Sequence, residues 1–506
     1  MIFPNINPCL EKCKFLLVIF PNINLHLNKF FVMVIGRHKE KQIFQRLLTS
    51  DQTELLAVYG RRRVGKTYLI REYFKENMVF EFTGAYEADA QIQLHNFFNE
   101  FQKAVTDPNL KPKDWTTAFK YLSDYLYTLE NSPTKNVVFL DELPWLDTAR
   151  SGFLSAFEYF WNQHGSRMKN LLLIVCGSSA SWIIQKLINA KGGLYNRITQ
   201  RIELKPFNLA ETEEYLVSRN LKFTRYQIIQ LYMAIGGIPF YLKHINPSLS
   251  VNQVIDQMCL MHGGILTNEF KPLFQSLFKN ADAHISIIKS LAKSPYGLNR
   301  TKLLETTKIP NGGTFLRTIE NLVDCGFIVE LKPFGKKNKD TIFRLIDFYS
   351  HFFIKFIDGK VSNRPNVWEG LSNSPEFKAW TGYAFENLCL KHTNQIHKQL
   401  GIDGVHTELS SWAFKGNEEI DGAQIDLIID RKDGIIHLCE AKFTSSEFVI
   451  SKEYASKLRL KRAIFGHVTK TKKSVVSTLL STYTATRNKY YSEEIHSEIN
   501  LEDLFM

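Results

Sequence analysis

The chain has 506 residues, too many for one ordinary core, and length alone suggests about three or four domains; 44% hydrophobic and 23% charged residues describe soluble globular material. Its 63 Lys and Arg against 51 Asp and Glu leave a formal charge of +12, which suits polyanion partners without requiring them. Seven cysteines (Cys9, Cys13, Cys176, Cys259, Cys325, Cys389 and Cys439) contain no C-x-x-C pair and no zinc spacing, so a reducing, cytoplasmic setting is the simplest reading and Cys259 with His262 is assigned to packing.

The first 32 residues repeat Ile2-Phe3-Pro4-Asn5-Ile6-Asn7 as Ile19-Phe20-Pro21-Asn22-Ile23-Asn24 around the short apolar run Phe15 to Phe20. That run is too short for a bilayer and lacks a small-residue cleavage site, so neither a membrane helix nor a signal peptide is supported there. The segment is either a disordered leader or a mis-assigned start, with translation beginning at Met33.

From 33 to 207, short apolar strands expected at 54–59, 78–82, 136–140, 171–176 and 201–204 alternate with longer amphipathic stretches, the pattern of an α/β parallel sheet covered by helices. Leu55 to Tyr59 leads into Gly60-Arg61-Arg62-Arg63-Val64-Gly65-Lys66-Thr67, which fits G-x-x-x-x-G-K-[ST] at every required position. The glycines let backbone N–H groups wrap an anion, Lys66 reaches β- and γ-phosphates, and the Thr67 hydroxyl can ligate Mg²⁺. The apolar run 136–140 ends in Asp141-Glu142, expected as a metal-shell acid and a general base. Strand 171–176 ends in Gly177-Ser178-Ser179, small hydroxyls that either orient a water or cap a helix.

Residues 208–276 read as a helical lid broken at Gly236-Gly237-Ile238-Pro239. Residues 277–346 give three helices (285–291, 300–307, 314–325) and two strands (327–331, 341–345) joined by a turn at 335–339, the order of a winged helix-turn-helix. Its tip carries Lys332, Lys336, Lys337 and Lys339, which suits DNA, although such domains also serve as protein interfaces.

After a linker at 347–375, the last domain (376–506) carries a predicted hairpin with Asp426 on one strand and Glu440 and Lys442 on the next. Two carboxylates can hold Mg²⁺ and a neighbouring lysine can position an attacking water, the needs of metal-dependent phosphodiester cleavage. Between 452 and 473 stand eight basic residues and one acid, a track for backbone phosphates. This hairpin resembles D-(x)n-E-x-K of the restriction-endonuclease-like nucleases, and Glu386 matches the helical acid that often completes their metal site.

The whole chain from Met33 resembles the archaeal-type P-loop ATPases (AAA/STAND-like NTPases) that carry a C-terminal nuclease-like domain. The matching stretches are 34–40, 59–67, 139–145, 176–179, Leu194-Tyr195-Asn196-Arg197, 204–207, 236–242 and 440–443. The resemblance implies a three-layer P-loop domain binding ATP with Mg²⁺, Gly36 and Arg37 bordering the adenine, Pro239 touching the nucleotide from the lid, and Arg197 or Arg201 sensing the γ-phosphate in cis or from a neighbouring subunit. Two departures stand out: His38 replaces the usual acid of a Gly-Arg-Glu pattern, and Gln424 stands where an acid often precedes Asp426. The expectation is an ATP-hydrolysing switch coupled to a DNA-directed, metal-dependent nuclease domain. The alternatives are a regulatory ATPase whose last domain binds nucleic acid or protein without cutting, or a self-associating motor.

Overall fold

In a computed structural model of the chain, the described residues are 34–105, 111–189, 193–194 and 196–506. The repeated N-terminal segment, the Met33 start and Tyr195 lie outside them. Residues 35–506 form one unit. Among the described residues no helix is long and apolar enough to cross a membrane.

Five strands, β1 (Glu54–Tyr59), β2 (Met78–Thr83), β3 (Asn136–Asp141), β4 (Leu171–Gly177) and β5 (Gln200–Glu203), make a parallel sheet in the order β2-β3-β4-β1-β5. β3 and β4 are buried along their whole length, as continuous apolar runs require when helices cover both faces. Helices Ala90–Ala104, Trp115–Thr128 and Phe153–Gln163 supply an aromatic core in which Phe82, Phe97, Trp115, Phe119, Phe153 and Phe160 are fully buried or nearly so. Each such ring contributes about 1.5–3 kcal/mol by leaving water. Asp89 and Asp114 start the first two helices by accepting from Ile92 N and Thr117 N. The sheet is the parallel P-loop-like core expected from the sequence, and it sets β1 and β3 on either side of β4, so that their C-terminal ends open on one crevice.

Helices Leu209–Ser218 and Arg225–Ile235 follow, each begun by a capping box, at Asn208 with Glu211 and at Thr224 with Gln227. Further along, helices Ala281–Ala292, Arg300–Thr307 and Gly313–Asp324 accompany a small antiparallel sheet of β6 (Leu298–Asn299), β8 (Ile342–Leu345) and β7 (Ile328–Leu331), with β8 in the middle. The loop between β7 and β8 does not stand clear of the protein. Phe334 N donates to Ser411 O at 2.8 Å and the Phe334 ring lies 5.0 Å from that of Phe465, so the loop is anchored on the last domain at Phe334 while Lys332, Lys336, Lys337 and Lys339 stay exposed.

That last domain has the element order helix Pro375–Lys391, β9 (Thr407–Phe414), β10 (Ala423–Arg431), β11 (Ile435–Lys442), helix Lys452–Thr469, β12 (Ser474–Ser481) and β13 (Ser497–Ile499). β9, β10 and β11 are antiparallel neighbours, whereas β11, β12 and β13 run parallel, which needs the helical crossover Lys452–Thr469. Ile464 and Phe465 of that helix bury against Trp412, Ile428, Ile436 and Leu438 of the sheet.

Candidate functional site

The phosphate loop springs from the end of β1. Gly60 has φ +143° and a Cβ there would lie 2.3 Å from Leu204 O, so glycine is the only residue the turn accepts; Gly65 has φ +90° where the loop enters helix Lys66–Phe74. The Lys66 ammonium, buried, donates to Gly60 O at 2.8 Å and Arg61 O at 3.1 Å, which holds the charge against the loop it serves. The Thr67 hydroxyl donates to Asp141 Oδ2 at 2.7 Å, joining the loop to the end of β3. Glu142, in a left-handed turn at φ 48°, sends its carboxylate to the end of β4, where Oε2 accepts from Ser178 N at 2.9 Å and Ser178 Oγ at 2.8 Å. Burial raises the Glu142 pKa, and the Lys66 charge and the Ser178 N–H work against it. Ser178 therefore faces the acid, not the loop directly.

The three arginines inside the motif have separate surroundings. Arg61 is buried, ion-paired with Asp347 and set over the Phe327 ring at 4.6 Å; Arg63 is ion-paired with Glu269 and set over Phe240 at 4.4 Å; Arg62 is exposed. Nothing local in the sequence marks Asp347 or Glu269 as partners of this loop. Arg37 reaches Val64 O at 2.9 Å and Lys205 O at 2.7 Å while stacking over Phe207, and its own N–H donates to Glu211 Oε1 at 2.9 Å. Gly36 N and His38 Nε2 both meet Glu214, at 3.2 and 2.9 Å, so the histidine that replaces the usual acid finds an acid on the next helix. Pro239 is the first residue of the short helix Pro239–Leu242. Arg197 and Arg201 are exposed, and their side chains reach none of the loop residues through a hydrogen bond or ion pair among the described residues.

Residues 35–245 match the family described as an ATPase domain predominantly from Archaea. The match spans 211 of the 506 residues and makes this part of the chain similar to that family's ATPase domains. "Uncharacterized protein MJECL04" of Methanocaldococcus jannaschii is 25% identical over 395 residues, 77% of this chain and 83% of its own. Among solved structures, the Walker-type ATPase PABY2304 of Pyrococcus abyssi aligns with 64% of this chain and 96% of its own, at 18% identity and a TM-score of 0.46. The Aeropyrum pernix ORC2 protein in its ADPNP-ADP complexes aligns with 69% and 97%, at 15% identity and a TM-score of 0.41. The family match supports an ATP-binding ATPase domain over residues 35–245. A hydroxyl and a carboxylate converging at 2.7 Å beside a phosphate loop fit a Mg²⁺ held by Thr67, Asp141 and phosphate oxygens.

Further along the chain, the acids of the last domain are brought near one another, each with a donor of the protein on it. One residue beyond the Leu427–Cys439 pair, Asp426 and Glu440 fall opposite each other, and the register with β9 shifts between Ile425 and Ile428, a bulge that re-aims Asp426. Gln424 Nε2 donates to Asp426 Oδ1 at 2.7 Å. Glu440 accepts from Tyr454 at 2.8 Å and Lys461 at 2.9 Å and lies 3.1 Å from Lys442. Glu386 is held by Arg344 at 2.9 Å. Burial and the Asp426 charge push Glu386 up to about 7, against the pull of Arg344. Burial also raises Asp426, while at Glu440 the Lys461 and Lys442 charges outweigh an equally real burial effect and lower it. Among the described residues no three of His, Cys, Asp and Glu come together as a metal-holding group. In this conformation the expected shell is engaged by the protein itself: Arg344 holds Glu386, Lys442 and Lys461 hold Glu440, and the Gln424 amide holds Asp426.

The basic stretch 452–473 is also partly committed. Arg459 and Arg462 pair with Glu494, Lys461 with Glu440 and Lys473 with Asp430. Lys452, Lys457, Lys470 and Lys472 remain exposed. Nothing local in the sequence marks Arg344, Tyr454, Lys461 or Glu494 for these pairings, because each partner lies on a different element.

Proposed function

We propose that the chain is a Mg²⁺-dependent ATP switch whose nucleotide state governs a DNA-directed C-terminal domain built around Asp426, Glu440 and Lys442. The observation that carries it is the direct contact of phosphate-loop Arg61 with Asp347, a residue beyond the lid that lies three positions from Arg344 of the acidic pocket. In the ATP site, Lys66 exchanges its loop carbonyls for phosphate oxygens, and Glu142, made more basic by burial, takes the proton of the attacking water. A bound Mg²⁺ supplies charge neutralisation on the phosphates. Ser178 fixes the Glu142 carboxylate, and Arg197 or Arg201 stabilises the γ-phosphate from this chain or a second copy. Gly36, Arg37 and Pro239 border the base.

On this reading the β7–β8 hairpin, the helices before it as a winged helix, and Lys452, Lys457, Lys470 and Lys472 meet backbone phosphates. Cleavage at Asp426, Glu440 and Lys442 is the active form. A second reading, binding without cleavage, is favoured by the neutralisation of Glu386 and Glu440 by Arg344 and Lys461. Incubating the purified chain with linear and supercoiled DNA and Mn²⁺, with and without ATP, separates them. Nicking that needs both Asp426 and ATP supports the switch nuclease; DNA retention without nicking supports the regulator; neither, at any nucleotide state, removes the DNA-directed domain. Lys66→Ala should abolish ATP binding, and unchanged binding would overturn the phosphate-loop assignment.

A further inference from the structure

Arg344 is the middle of a short rigid bridge between the two sites. It sits on β8, 3% exposed, with one guanidinium nitrogen on Glu386 Oε2 at 2.9 Å and Nε on Asn387 Oδ1 at 2.7 Å. Asn387 also donates to Leu345 O at 3.0 Å, so one side chain of helix Pro375–Lys391 grips both the arginine and the strand behind it. Arg344 lines the same small pocket as Glu386, Asp426, Cys439 and Ala441. Three residues later Asp347 holds Arg61 of the phosphate loop, and Phe327 supports both ends of that step: its carbonyl accepts from Ile346 N and Asp347 N at 3.0 and 3.1 Å, and its ring carries the Arg61 guanidinium. Asp347 is fixed further by Ser350, whose N and Oγ donate to Oδ2 at 2.9 and 2.6 Å.

We propose that Arg344 is the resident cation of the C-terminal acidic pocket, standing where a divalent metal would neutralise Glu386 and Asp426, and that the Arg344-to-Asp347 step couples its seating to the phosphate loop through Arg61. The proposal rests on reading those acids as metal ligands. A guanidinium and a divalent cation cannot share the pocket, because the like charges repel strongly where burial lowers the dielectric. Nucleotide phosphate arriving at the loop competes with Asp347 for Arg61. Loosening that pair frees the segment carrying Arg344, and the acids then become available. Without nucleotide the pocket is self-neutralised and the domain is held inactive.

The test uses Mn²⁺ alone as the probe, counted by electron paramagnetic resonance on the full chain, with Asp426→Asn as the background that subtracts ATP-site binding. Without nucleotide, Arg344→Gln should bind Mn²⁺ at the acids about tenfold or more tightly than the wild type, whereas Arg344→Lys, which keeps the charge, should not. Asn387→Ala, which releases the grip without removing the cation, should give a smaller gain in the same direction and serves if Arg344→Gln does not fold. In the wild type a non-hydrolysable ATP analogue should raise Mn²⁺ binding at the acids, and Asp347→Asn should make that binding independent of the analogue. Unchanged Mn²⁺ affinity in folded Arg344→Gln, or in Asn387→Ala if it must stand in, overturns the proposal. Coupling that survives Asp347→Asn overturns its second half. Tight Mn²⁺ binding by Arg344→Gln without any DNA cleavage leaves the proposal standing and removes the nuclease reading instead.

Discussion

Ser178 gives both its backbone N–H and its hydroxyl to the same oxygen of Glu142, at 2.9 and 2.8 Å, so a serine at the end of β4 sets the direction of an acid at the end of β3. Both hydrogen bonds favour the ionised carboxylate, while burial opposes it. Ser178→Ala should lower the ATP turnover number about tenfold with little change in KM, through a misdirected base. It should also move the acid limb of the pH profile to higher pH, since losing the hydroxyl bond raises the Glu142 pKa further and a base must be deprotonated to act. Steady-state kinetics across pH checks both. Glu142→Gln should keep ATP bound and lose hydrolysis by about a hundredfold or more.

The Arg61–Asp347 pair is buried on both sides, at 3% and 5% exposure, so removing one partner strands the other. Arg61→Ala should destabilise the fold by about 3–5 kcal/mol in urea denaturation, and Asp347→Ala by a similar amount. The double replacement Arg61→Met with Asp347→Leu should cost less than either single change. If the double variant costs the sum of the two, the pair is not coupled as the geometry requires.

Three buried histidines make the fold acid-sensitive. His351, His392 and His437 are each depressed to about 4, with burial the first cause. At His392, Nε2 accepts from Leu209 N at 3.2 Å, which leaves Nδ1 to donate to Leu388 O at 2.8 Å, and only a neutral ring satisfies both. Because the unfolded chain binds these protons first, stability is complete above about pH 6.5 and is lost as pH falls toward 4, on the order of 3 kcal/mol for each of His351 and His392 and less for His437, whose ring solvent screens in part. Thermal melts between pH 7 and 4 measure it. His392→Gln, able to make the same two bonds without titrating, should flatten part of that slope.

On nucleic acid, the four uncommitted lysines should carry the salt dependence. Replacing Lys452, Lys457, Lys470 and Lys472 by Gln should reduce the slope of log affinity against log salt by up to about 0.9 for each phosphate that is no longer neutralised. Arg459→Gln and Arg462→Gln should act on stability instead, since Glu494, at 3% exposure, would lose its partners. Fluorescence anisotropy at several salt concentrations distinguishes the two groups.

The ATP site was legible because its chemistry is local: Gly60 to Thr67 is one turn, and Asp141 and Glu142 follow one apolar strand, so spacing along the chain is spacing in space. The acidic hairpin was readable for the same reason, with Asp426 and Glu440 set by a single turn at Gly434. What occupies each acid was not readable. Arg344 meets Glu386, Lys461 meets Glu440, and Asp347 meets Arg61 across 286 positions of chain, and long-range pairs of this kind leave no periodic trace. Sequence by itself determined which residues can hold phosphate and which acids share a hairpin, since both follow from backbone geometry over a few residues. Only the tertiary structure decided that Glu440 of the hairpin pairs with Lys461 and that Asp347 pairs with Arg61 of the phosphate loop, because burial forces every charge to find whichever partner the packed elements bring beside it.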